Sequence, residues 1–442
     1  MKTQQELNTY EIGIKAYCWA YPLVMTCATA AVITRAKAPQ ANGHAPFNQI
    51  GHTNKLLTPD DKSVVSPNSD TLYSSAFLDL KQGAMLIEVP AIKDRYYALT
   101  LSDAYTNVID YIGTRTTGSD AGQYLICGPD WQDDGSNEYQ RIRMPTSTCW
   151  LIGRYLVESE QDAVNVADIL SQIKLSLISN SHKSPSIAER WDLKPAFNVP
   201  VAMVNNLSWQ EFFRWAGQLL KDNPPPECDH ELVNTFSAIG LTESGFQLES
   251  LSASQQHGLA RAYVDAKALV ETHAQNSGAK IINCWSYNLN QGKWGQDYNL
   301  RAATALRSLG QNEAKEALYL NARKDNSGQT LNGRTGYQMT FSAGQLPPVD
   351  GFWSVTMYND DNFLVENSIL RYAIGDRTKG LVYQSDGSLT LHIQHHQPHQ
   401  SNHQANWLPA PVGDFRLSLR LYIPHQTVLD GHWHPPVVVA NN

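Results

Sequence analysis

The chain has 442 residues, 42% of them hydrophobic and 17% charged, and carries a net charge of −8. That length suffices for about three domains with ordinary cores. The negative balance, with no cluster of Lys or Arg, argues against a nucleic-acid partner, since phosphate binding needs a basic surface.

In chain order, residues 1–55 read as helix then loop. Ile12, Ala16 and Trp19 fall at helical spacing, and the Pro39 to Pro46 region breaks it. The apolar run from Ala16 to Thr34 has the look of a signal peptide. However, two Lys and two Glu precede it and Pro22 interrupts it, so a buried helix is expected. No other stretch approaches transmembrane length, and a cytoplasmic protein without a membrane partner is the expectation. Cys18, Cys27, Cys127, Cys149, Cys228 and Cys284 form no C-x-x-C pair, which argues against a zinc knuckle.

From Val64 to about Val157 the chain alternates with period two, and Gly83, Pro90, Gly113 and Gly128-Pro129 punctuate it as strands. The period then changes. Val166, Ile169, Leu170, Ile173 and Leu177 make a helical stripe, with Ser159 as its N-cap. Ser208 to Glu211 is a capping box, and Leu259, Tyr263, Ala266 and Val270 make another stripe. Residues 300–322 read as two short helices broken near Gly310. From Gly336 strand alternation returns, most cleanly in Phe415, Leu417, Leu419 and Leu421 against Arg416, Ser418 and Arg420. Such alternation predicts one buried and one wetter face. The segments are therefore 1–60 helical, 61–158 β sandwich, 159–330 mainly helical and 331–442 a second β sandwich.

The two β regions echo each other. Tyr96, Tyr97, Leu99, Thr100 and Leu101 match Phe352, Trp353, Val355, Thr356 and Met357 in register. Pro145 stands nine residues before Arg154, and Pro411 nine before Arg420. Long-range self-similarity of this kind means two copies of one supersecondary unit.

Longer motifs carry a resemblance. AYPLV (20–24), SPNSDTLY (66–73), RYYALTLSDAYTN (95–107) and MPTSTCWLIGRYLV (144–157) lie in the first half. YQMTFSAGQLPPVDGFWSVTMYND (337–360), NWLPAP (406–411), FRLSLRLYIP (415–424) and GHWHPP (431–436) lie in the second. The chain resembles the family with paired domains of unknown function 1254 and 1214. The resemblance implies an α+β fold of two jelly-roll-like antiparallel β sandwiches with an N-terminal helical segment and a helical middle. It implies no activity.

Candidate chemistry sits at strand ends. Asp70 and Asp103 are candidate acid and base residues, provided a pocket separates their pKa values. Asn68, Tyr73, Tyr105, Asn107, Tyr358 and Trp407 are candidates for holding a hydroxylated substrate. Polar turns that satisfy local backbone groups explain the same residues. Arg154 and Arg420 suit a carboxylate or phosphate, or a structural ion pair. His392, His395 and His396 are imidazoles of the type that binds metal, but their Gln-rich setting favours a solvated loop, and no cofactor is expected. No G-x-S-x-G, H-E-x-x-H or P-loop is present. The expectation is an enzyme of hydrolase or lyase type acting on a small polar or carbohydrate-like molecule, in a homo-oligomer. The alternatives are a non-catalytic carbohydrate- or ligand-binding module and a capsid-like assembly protein.

Overall fold

The computed structural model describes residues 3–62, 66–132, 138–179, 187–191, 197–276 and 279–441. Beside the two-residue edge strand Gly51–His52, the strands of the first β unit are β1 (Thr71–Asp79), β2 (Gly83–Val89), β3 (Tyr97–Asp103), β4 (Val108–Gly113), β5 (Gly122–Cys127), β6 (Gln140–Arg143), β7 (Thr148–Leu156) and β8 (Lys174–Ser179). Beside the edge strands Lys280–Ile282 and Trp285–Tyr287, those of the second are β9 (Ala317–Ala322), β10 (Tyr337–Phe341), β11 (Trp353–Asn359), β12 (Ala373–Gly375), β13 (Leu389–Gln394), β14 (Trp407–Pro409), β15 (Phe415–Tyr422) and β16 (Val439–Ala440).

The duplication extends to the order of these numbered strands, the edge strands beside β1 and β9 differing in number. In the first unit, β1-β7-β3-β4 faces β6-β5-β2-β8; in the second, β9-β15-β11-β12 faces β14-β13-β10-β16. Each numbered strand of the second unit has its counterpart eight strands earlier. Even the exceptional parallel pairs, β5 with β6 and β13 with β14, correspond. Register agrees too: Ala98 pairs with Arg154, and Ser354 pairs with Arg420. Apolar side chains from both sheets of each unit fill its core, as in a sandwich.

The helical layer packs around α1 (Gln4–Ile33), whose residues Ala16 to Ala30 are all buried. A helix apolar on every side needs neighbours on every side. They are α3 (Trp209–Leu220), α4 (Ala253–Asn276) and α5 (Tyr298–Ser308), all of which contribute to one core with it. Of the apolar window in α1, 83% is buried inside the protein. The remaining long helix, α2 (Glu160–Leu170), is capped by Ser159 as expected, and Ser208 closes the capping box of α3.

Two local expectations are corrected. Ile173 and Leu177 do not continue α2, because the Leu175-to-Ser179 stretch pairs with β2 as strand β8. Residues 317–322 are not a helix but strand β9, hydrogen-bonded along β15. Both stretches alternate, and a waiting sheet edge overrides a helical pattern of the same composition. The wet face expected of β15 is also absent, since all eight of its residues are buried.

What covers that face is the other sandwich. Tyr96, Ala98, Tyr111 and Leu156 pack against Ala317, Phe352 and Tyr422. Phe352 stacks on Tyr422 with ring centroids 4.0 Å apart, and Tyr96 meets both rings edge-on. Reciprocal ion pairs flank this seam. Asp70, just before β1, pairs with Arg377 at 2.7 Å; Glu316, just before β9, pairs with Arg115 at 2.6 Å. Arg115 and Arg377 each stand two residues beyond equivalent glycines, Gly113 and Gly375. The two sandwiches therefore meet as a pseudo-twofold, self-complementary interface within one chain.

This seam sets a stability expectation. Phe352→Ala removes a ring that is 1% exposed and should cost about 3–5 kcal/mol. Urea unfolding checks it: a lowered midpoint of that size is expected, whereas a change under about 1 kcal/mol would show that the sandwiches do not depend on each other.

Candidate functional site

A cavity of about 370 Å³ opens where the seam meets α5. Such a volume lies in the range of small-molecule sites. One wall is Tyr73 on β1 and Arg154 on β7; the opposite wall is Tyr319 on β9 with Arg416 and Arg420 on β15. Ala303, Thr304 and Arg307 of α5 close a third side. Arg307 and Ser308 are exposed and mark the mouth.

The sequence builds these walls by strand alternation. On β15 the odd positions from Phe415 to Leu421 enter the sandwich core, so Arg416, Ser418 and Arg420 must point to the seam. Tyr73 and Arg154 are cross-strand partners, and so are Tyr319 and Arg420. The loop after α5 completes the site. Gly310, at φ +80°, takes a backbone conformation that side-chain-bearing residues rarely adopt, and its carbonyl accepts from Arg154 at 2.9 Å.

The electrostatics are one-sided. Arg154, Arg416 and Arg420 are 7%, 7% and 4% exposed, yet none has a carboxylate within ion-pair distance. Their partners are neutral. Arg154 donates to Asn312 Oδ1 at 3.2 Å and to Thr100 Oγ1 at 3.4 Å. Arg420 donates to the hydroxyls of Thr356 and Tyr358. Arg416 donates to Asn321 Oδ1 and to Ser66 Oγ at 2.7 Å, while its Nε is buried with no hydrogen-bond partner. Arg416 and Arg420 lie over the same Tyr358 ring, at 4.5 and 5.6 Å from its centroid. Burial, together with the neighbouring Arg323 and Arg420 charges, pulls the Arg416 guanidinium down to about 10, so it stays charged at neutral pH. Burial raises the Tyr319 phenol, and the Arg154 and Arg420 charges pull it back. No Asp or Glu lines the cavity among the described residues.

The residues singled out from sequence are dispersed by the fold. Asn68 and Tyr73 line the cavity, and Asn68 donates to the Tyr422 hydroxyl at 2.9 Å. Tyr358 lies beneath the two arginines and donates to Pro67 O at 2.7 Å. Asp70 is held by Arg377 and by the Ser354 hydroxyl at 2.6 Å, as part of the seam. Asp103 lies at the other end of the first sheet. Strand register places Asp70 beside Val157, whose N–H donates to Asp70 O, and Asp103 beside Cys149, roughly 26 Å apart at ~3.3 Å per residue. The fold does not bring the two carboxylates together as an acid–base pair. Asp103 accepts from the backbone N–H groups of Tyr105 and Asn107 and from the Asn107 side chain, closing its own turn. Tyr105 is buried against Trp19 and donates to Asn223 O.

Trp407 donates to Gln394 O and is buried in the second sandwich. His392 is buried and stacks on His403 at 3.9 Å, His395 faces Ala410 O at 2.9 Å, and His396 is exposed. The described residues hold no group of three or more His, Cys, Asp or Glu suited to a metal ion. Arg416 escaped the sequence reading, because the first copy has Trp150 at the equivalent register and the internal echo does not mark it. The legible signal was two arginines flanking a serine on one face of a strand.

Two family models match this architecture. DUF1254, described as a protein of unknown function, covers residues 47–176, and DUF1214, with the same description, covers residues 316–426. The chain carries the two domains as an N-terminal and C-terminal pair. DUF1254 thus spans β1–β7 and DUF1214 spans β9–β15, so the cavity lies between the paired domains. A crystal structure of a Vibrio parahaemolyticus protein, a structural-genomics target, shares the fold with a TM-score of 0.74 at 20% identity, covering 98% of this chain and 100% of that one. An uncharacterised Burkholderia cenocepacia protein is more distant, with a TM-score of 0.45 at 11% identity over 98% and 94% of the two chains. No curated protein matches the chain.

Asp103 gives a pH expectation. Burial, opposed by the Asn107 hydrogen bonds, raises its carboxyl from 3.8 to about 6. An acid whose folded pKa is raised favours folding while protonated, so its contribution is lost as pH climbs from about 4 to about 6. The loss is about 3 kcal/mol. Unfolding free energies of wild type and Asp103→Asn, measured from pH 4 to 7, should therefore show the wild type falling relative to the variant by most of that amount as pH rises, the variant lacking the decline. Parallel curves would show that Asp103 titrates normally.

Proposed function

We propose that the seam cavity binds a small molecule bearing acidic groups, with hydroxyls that Asn68, Tyr73 and Ser418 can address. The observation that carries this reading is the set of three buried guanidiniums facing one cavity with no carboxylate partner. Taking a charge out of water costs several kcal/mol unless a counter-charge repays it. The nearby carboxylates, Asp70 and Glu316, are occupied by Arg377 and Arg115. A bound carboxylate or phosphate would complete all three arginines with charge-assisted hydrogen bonds. A sugar acid or sugar phosphate is the ligand chemistry that matches both the cations and the hydroxyl-bearing walls.

The test is thermal unfolding at low ionic strength with inorganic phosphate, citrate and neutral glucose. Phosphate and citrate should raise the melting temperature in a salt-sensitive way, and glucose alone should not. Arg416→Met should abolish the rise while leaving the unliganded protein as stable as wild type or more so, because a buried unpaired cation gives way to packed apolar volume. A strongly destabilised Arg416→Met with undiminished anion response would overturn the reading.

An enzymatic role has one specific support. Tyr319 lines the cavity, and burial keeps its phenol above the ordinary value against the opposing Arg154 and Arg420 charges, so it stands protonated and suits a proton donor. Acid–base work in this cavity would pass through Tyr319 rather than through Asp70 or Asp103, neither of which lines it. For any ligand found to be turned over, Tyr319→Phe should keep binding within about threefold and lower the rate by about 10²-fold or more. Unchanged turnover would leave the cavity as a binding site only.

A further inference from the structure

The cavity carries the mark of the duplication, and that mark specifies its ligand more closely. Arg154 with Thr100 and Tyr73 is repeated as Arg420 with Thr356 and Tyr319. Each arginine donates to the threonine of its own unit and pairs across strands with its tyrosine. The pseudo-twofold of the seam thus sets two equivalent cation sites on opposite walls of one cavity. The sites are not equally charged. Where the second unit adds Arg416, the first has Trp150, which is turned to Phe77 in a stack at 4.9 Å and does not line the cavity. Two guanidiniums converge over Tyr358 on one side, and one guanidinium stands on the other.

We infer that the ligand carries two anionic groups at opposite ends: a doubly charged one, of the phosphate class, at Arg416 and Arg420, and a singly charged carboxylate at Arg154. This inference rests on the anion reading of the cavity and goes beyond it. The assignment follows charge for charge. A dianion balances the paired cations; burial, joined by the Arg323 and Arg420 charges, already depresses Arg416. The planar fork of Arg154 has both terminal nitrogens committed to Thr100, Asn312 and Gly310, which fixes its orientation in the wall. The body between the two groups would lie along the Tyr73 and Tyr319 side chains. Substrates of this class are phosphorylated hydroxy acids and sugar acids.

Isothermal titration calorimetry at low ionic strength tests it, with inorganic phosphate, acetate and three phosphocarboxylates of growing length: phosphoglycolate, 3-phosphoglycerate and 6-phosphogluconate. At least one phosphocarboxylate should bind about tenfold or more tighter than inorganic phosphate, since the second anchor engages intramolecularly. Arg154→Met should erase that gain and leave the phosphate affinity within about twofold, while Arg416→Met should weaken phosphate and phosphocarboxylate alike. Should Arg154→Met not fold, Arg154→Gln reads the same loss, because an amide keeps a donor for the wall groups but not the charge. If phosphate binds but no phosphocarboxylate gains on it, or if Arg154→Met weakens phosphate as much as Arg416→Met does, the two-ended ligand is refuted and the anion site stands. If none of the anions binds, both fall.

Discussion

Three guanidinium groups, closed off from water and paired only with neutral oxygens, are the constraint around which the seam is organised. A buried Arg normally meets a carboxylate, because desolvating the charge costs several kcal/mol. Here the two carboxylates at the seam are tied elsewhere. Asp70 reaches across to Arg377 and Glu316 reaches across to Arg115, each crossing from one sandwich to the other. These pairs hold the sandwiches together and leave Arg154, Arg416 and Arg420 to hydroxyls, amides and a backbone carbonyl. Hydrogen bonds satisfy some of the donors, but not the net charge. Asp70 acts on Arg420 and Glu316 on Arg154 only at longer range, and the charge left over is what the proposed anion would balance.

The duplicated topology explains why the charges end up there. A β strand buried on both faces has no solvent side to which a polar residue can turn. Once the outer faces of the two sandwiches meet, every even position of β15 is committed to the interface. Tyr422 then serves the aromatic stack, while Arg420, Ser418 and Arg416 extend away from it toward the open end. The insertion between the sandwiches supplies the remaining wall. α5 and the turn at Gly310 convert what would be an open groove between two sheets into a cavity with a mouth at Arg307 and Ser308.

Much of this architecture was legible in the chain. The match of Tyr96-to-Leu101 with Phe352-to-Met357 announced the duplication, and the shared strand order is its structural form. Ser159 and Ser208 marked their helices because N-cap chemistry is local. What local pattern does not contain is distance across the fold. Asp70 looked like a catalytic candidate because its partner Arg377 is 307 residues away in sequence. Asp70 and Asp103 looked like neighbours because both lie at strand ends, and only the register of β1 and β3 on β7 shows that these are opposite ends of one sheet. Asn68 and Tyr73 were identified because they share a polar motif with the strand that lines the site. Arg416 was hidden for the converse reason, as a repeat marks what two copies share.

That difference between copies is where function enters a symmetric scaffold. An interface between two identical units would present matched groups on both sides and offer an asymmetric ligand two equivalent orientations. The threonines, tyrosines and one arginine of each unit retain that symmetry. Replacing the Trp150 position by Arg416 in the second copy adds a charge on one wall only, and the stack of Trp150 on Phe77 removes that side chain from the other wall. The aromatic seam and the exchanged ion pairs, which carry stability, stay symmetric because both units need the same contact. The cavity beside them is free of that demand. Its departure from symmetry is what would orient the proposed ligand, whose unlike ends would meet unlike walls.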